Sequence, residues 1–106
     1  MANILTETEA ANALRCAEDD PAMLDLLPQV DAYIKNATGR DWTADDPIDP
    51  VAKAAARILL VRAHEDPGAL AQPAPALGWS LASCLVQLEA EALKLAEEDD
   101  QEGGDP

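Results

Sequence analysis

The sequence predicts an all-α protein: a small bundle of about four helices, with a Pro-rich connector before the last helix and a disordered acidic C-terminal tail. Three observations carry that expectation. Of 106 residues, 48% are apolar but only 3% are aromatic (Tyr33, Trp42, Trp79 and no Phe), so Ala and Leu must fill the core. Those two residues lead the helix propensity scale, while strand formers are scarce. Apolar residues recur at spacings of three and four, the period of one helix face. Finally, Asp20-Pro21 and Asp49-Pro50 each join a good N-cap to a proline at the first helical position, where a missing N–H leaves nothing unpaired.

Taken in order, the elements follow from local chemistry. Thr6 and Glu9 have the spacing of a capping box and open a short helix over about residues 7–17, with Ala10, Ala13, Leu14 and Ala17 as its buried stripe. Asp20 and Pro21 start a second helix that runs to Thr38. Met23, Leu26, Leu27, Val30, Tyr33, Ile34 and Ala37 form its stripe, and Gly39 is suited to the left-handed residue that ends it. Pro28 predicts a kink near Leu24 to Pro28 or a later start, because an interior proline removes a backbone bond. Residues 40–49 read as an acidic loop around Trp42. The third helix, 50–65, carries Val51, Ala54, Ala55, Ile58, Leu59 and Val61, a face wide enough for the central helix of the bundle.

Asp66, Pro67 and Gly68 stop that helix, and the Ala/Pro segment up to Leu77 has no periodicity and reads as an extended connector. The last helix, 78–96, is the most regular stretch. Leu81, Leu85, Leu88, Ala92 and Leu95 follow a four-three-four-three spacing on one seam, bordered by Cys84. Residues 1–77 thus form the helical body, 78–96 the C-terminal helix and 97–106 an acidic tail with no apolar side chain, a composition that stays disordered in isolation.

Charge narrows the function classes. The chain carries 21 acidic and 7 basic residues, a net −14. Six of the acidic residues lie in the last ten positions, which leaves 15 acidic against 7 basic residues, −8, for the rest. Such a surface has no electrostatic grip on a phosphate backbone or an anionic membrane. No apolar run reaches the roughly 18 residues of a membrane span, and the first residues lack a signal-peptide pattern, so a soluble, cytoplasmic chain is expected. Cys16 and Cys84 form no metal or redox motif and are expected as two reduced thiols.

No catalytic constellation is evident. His64 is the single histidine and reads as a helix-end residue next to the C-terminal dipole. The clusters Glu18/Asp19/Asp20 and Asp45/Asp46/Asp49 lack calcium-loop spacing and read as turn and cap residues, and there is no phosphate-binding glycine loop. No catalytic residue, metal or cofactor is expected. Surfaces for assembly remain: Trp42 and Trp79 read as either core caps or interface anchors, and the Leu81 to Leu95 seam as either core or a partner-binding face.

The order of features resembles the head-tail connector (adaptor) proteins of tailed bacteriophages over about residues 4–95. The resemblance rests on the run Y-I-x-x-x-T-G-R at Tyr33 to Arg40, on Trp42, and on a third helix ending in H-E-D-P at His64 to Pro67, followed by a Pro-rich link and a final helix. The acidic tail and the long final helix depart from the family pattern. The resemblance implies a structural virion protein made in the host cytoplasm and located in the phage neck, with no enzymatic role. It would form a homo-oligomeric ring, dodecameric in the virion, under the portal protein. That ring would extend the DNA channel, pass DNA without specific binding and dock the downstream neck, stopper or tail component. Arg40, Trp42, Trp79, Leu81, Leu85, Leu88 and Leu95 are then the candidate subunit or portal interface. The alternative from another class is an acidic DNA mimic or inhibitor that binds a basic partner.

Overall fold

The computed structural model describes the backbone of residues 3–103 and side chains through residue 98. The last helix, expected over 78–96, spans 79–103, so the backbone of residues 97–103 of the expected acidic tail continues it, and residues 104–106 lie outside the described residues. Among those described there is no strand, and the elements are α1 (Glu7–Leu14), α2 (Pro21–Thr38), α3 (Pro50–Glu65), a 3-10 turn (Pro67–Ala71), α4 (Ala74–Leu77) and α5 (Trp79–Gly103).

Each start signal operates as its chemistry dictates. Thr6 Oγ1 accepts the Glu9 amide at 3.1 Å while Glu9 Oε1 accepts the Thr6 amide at 2.9 Å, a complete capping box. Asp20 accepts the Met23 amide at 3.1 Å, and Asp49 accepts the Val51 amide at 2.7 Å. Gly39, at φ 82, closes α2 by donating its N–H to the Lys35 carbonyl.

Several expectations need correction. Helix α1 ends at Leu14 because Arg15 takes the left-handed conformation (φ 56, ψ 48) and the Cys16 amide turns back to the Ala11 carbonyl. Its buried residues are consequently Ala10 and Ala11, with Leu14 half-buried and Ala17 exposed. The face of α3 is also rotated from the expected one: Ala52, Ala55, Ala56, Leu59, Leu60 and Ala63 are buried and Ala54 is exposed. Four alanines on that face let neighbouring helices approach closely. The connector, lastly, is folded rather than extended. Asp66 caps its 3-10 turn through the Gly68 amide at 3.0 Å, α4 follows, and Ala69 and Leu77 are buried.

Helix α2 starts at Pro21 rather than later and continues through Pro28, and Ala37, expected in its buried stripe, is exposed. Pro28 is exposed, so the carbonyl of Leu24 that it leaves without an intrahelical partner is on the side open to water. Helix α3 sits centrally, in contact with α1, α2, the 3-10 turn and α5. Helix α5 packs on α3 and α2 of its own chain through Leu81, Leu85, Leu88 and Ala92. Ile4 and Leu5, ahead of the first helix, also join the core.

Candidate assembly surface

Two regions hold the expected interface residues. The first is the loop after α2. Thr38, buried in its last turn, donates its hydroxyl to the Ile34 carbonyl at 2.7 Å and accepts Trp42 Nε1–H at 3.0 Å. That bond satisfies the only polar atom of the indole and lets Trp42 enter the core, where it is 1% exposed. Arg40 lies over the other side of this arrangement, its guanidinium 4.5 Å from the Trp42 ring centroid and bidentate to Asp45 at 2.7 and 2.9 Å. The Arg40 hydrogen bond and charge hold the Asp45 carboxyl below its usual range, and the two hydrogen bonds from Thr43 do the same for Asp41. The loop is thus locked by its own side chains.

The second region is α5. Leu81, Leu85 and Leu88 are buried and Leu95 is half-buried against the same core. Of the seven candidate residues, Trp42 and these leucines therefore belong to the chain's own core, and Arg40 is engaged by Asp45 and Trp42. Trp79 alone projects freely, at 83% exposure.

Sequence reasoning missed its companions. Val86 is 66% and Leu93 64% exposed, and with Trp79 they form a stripe of large apolar residues at intervals of seven. Five positions separate Leu81 from Val86, about 140° around the helix, so the stripe and the core seam occupy different faces. The seven-residue interval is legible in the sequence, but the stronger leucine seam obscures it. Beside the stripe, a depression of about 170 Å³ is lined by Ala37, Ala74, Pro75, Ala82, Val86 and Glu89. A larger groove of about 740 Å³ runs between α2 and the connector, where Tyr33 donates its hydroxyl to the Gln72 carbonyl at 2.7 Å. Partial burial raises the Tyr33 hydroxyl above its usual range.

Of the residues considered for chemistry, some have structural roles. Asp20 and Asp49 are caps, and His64 lies in the last turn of α3. Both cysteines are free thiols; Cys16 Sγ lies 3.7 Å from Met23 Sδ, and partial burial, aided by the Asp20 charge, raises its pKa. Among the described residues no group of three or more His, Cys, Asp or Glu side chains is placed to hold a metal ion, and no helix is long and apolar enough to cross a membrane.

No family model, curated protein or solved structure matches this chain.

Proposed function

We propose that the chain is a head-tail connector subunit of a tailed bacteriophage, which assembles as a ring under the portal, extends the DNA channel and docks the next neck component. One observation carries the reading. The two runs on which the family resemblance rests both fall at helix ends, Tyr33 to Arg40 closing α2 at Gly39 and His64 to Pro67 closing α3. A small helical unit with a central alanine-faced helix also suits a subunit completed by neighbours. Ring contacts join unlike faces, and rotation closes the circle.

Acidity has two roles under this reading. A high negative charge keeps free subunits soluble, and carboxylates facing the channel would repel DNA and prevent adhesion. The deciding experiment mixes purified protein with portal rings and images them by electron microscopy. An added ring of density beneath the portal is expected. Free subunits and unmodified portals would overturn the reading, and steeply salt-dependent capture by a basic protein would favour the DNA mimic instead.

A further inference from the structure

The stripe on α5 has a property that narrows what covers it. Apart from Leu24, Trp79, Val86 and Leu93 are the exposed large apolar residues among those described, and all three lie on one helix at seven-residue intervals. That interval is the repeat with which one helix follows another along a shared seam. From the geometry we infer that the occupant is a second copy of this chain, its α5 antiparallel to the first and Val86 on the two-fold axis.

A two-fold interface requires a patch that complements itself on reversal. Reversed about Val86, this stripe does so. Trp79 comes level with Leu93 of the second copy, and Val86 with Val86. Between these rungs each Ser83 is within one residue of the second copy's Ala90, and each Ala82 within one residue of its Glu89. Small side chains thus stand at every intermediate level and allow close approach. Charge favours the same direction: the Glu89 carboxylate meets an alanine methyl, whereas a parallel pair would set Glu89 against Glu89 and Lys94 against Lys94. In the antiparallel pair Lys94 comes level with the second copy's Trp79, in position for a cation–π contact.

From Trp79 to Leu93 is about 21 Å of helix, short of the roughly 800 Å² per partner of a standard stable interface. Association is therefore reversible and concentration-dependent. It needs no portal and is independent of the ring, whose contacts join unlike faces; a dimer without a ring, or a ring without this dimer, separates the two readings.

Sedimentation equilibrium of the full chain tests the inference. Between about 10 μM and 1 mM the mass should climb from 11.2 kDa toward twice that value. Raising NaCl from about 0.05 to 0.5 M should strengthen association, because it screens the net −14 on each copy. Val86→Asp and, separately, Leu93→Lys should retain far-UV helicity and remain monomeric. With Cys16 and Cys84 replaced by Ser and helicity verified, Val86→Cys should oxidise to a linked dimer. Trp79→Cys should link to Leu93→Cys in a mixture, but not to itself. A monomer at every concentration and salt, a dimer that survives Val86→Asp, or efficient self-linking of Trp79→Cys would each overturn the inference.

Discussion

The carboxylate of Asp31 accepts the backbone amide of Ile4 at 3.1 Å, joining α2 to a segment 27 positions earlier. Ile4 and Leu5 are buried there, so this bond satisfies an amide that burial would otherwise leave without a partner. From the other side, Lys53 of α3 donates to the Ile4 carbonyl at 3.3 Å and to Glu9 at 2.6 Å. The chain ahead of α1 is thereby held between two helices.

Asp31 makes stability depend on pH. Burial pushes its pKa up to about 6, the Ile4 amide opposes the shift, and the Asp41 charge adds to it. A carboxyl with a raised folded-state value contributes stability that is complete below about pH 4 and is lost as pH rises through about 6. Asp31→Asn keeps the acceptor for Ile4 and removes the charge. Thermal unfolding should show this variant gaining about 1 kcal/mol, a few degrees in Tm, at about pH 7.5, with the gain vanishing near pH 4.

Glu9 has the opposite sign. The Lys53 hydrogen bond, followed by the Thr6 amide, lowers its pKa, so its contribution is present above the unfolded value near 4.3 and is lost as pH falls through the folded one. Both partners are partly exposed, which limits the effect of Lys53→Met on stability to less than about 1 kcal/mol. Comparing the acid limbs of the two stability curves between about pH 5 and 3 checks this, and the variant should have the flatter one.

What was legible in the sequence was local. Thr6 with Glu9, Asp20 with Pro21, Asp49 with Pro50 and Gly39 act within a few residues, and each is found in its expected role. The leucine seam of α5 was legible because its period repeats across four turns. Long-range choices were not. Nothing adjacent to Trp42 states that Thr38 will receive its indole N–H, nothing near Ile4 states that Asp31 waits on α2, and the rotation of α3 follows from which alanines its neighbours press against. The fold of the connector is not legible either, because prolines in a short segment suit turns as readily as extension. As for the candidate surface, one of its three exposed residues was identified: Trp79 was selected for its type, whereas Val86 and Leu93 are ordinary until their exposure is seen.

Trp42 should be the costliest single truncation. Trp42→Ala removes a fully buried side chain and leaves the Thr38 hydroxyl without its donor, an expected loss of about 3–5 kcal/mol in urea unfolding. Trp42→Phe retains most of the volume and should lose less.

Arg40→Lys keeps the charge but removes both the fork that grips Asp45 and the plane that stacks on Trp42. A loss of about 1 kcal/mol is expected in the same assay, with α2 helicity unchanged by circular dichroism.

The two faces of α5 should respond differently. Leu81→Ala, in the core, should destabilise by about 2–5 kcal/mol, whereas Trp79→Ser, under dilute conditions where the chain is monomeric, should stay within about 0.5 kcal/mol of wild type. Equal effects would mean that the helix does not pack on its own chain as described.

The contrast between Trp42, at 1% exposure, and Trp79, at 83%, also gives the protein a built-in pair of optical reporters. Acrylamide should quench one indole and leave the other bright, so the emission resolves into a blue, shielded component and a red, accessible one. Unfolding shifts only the first and covering the α5 stripe shifts only the second, so an unlabelled sample reports folding and assembly in separate spectral channels.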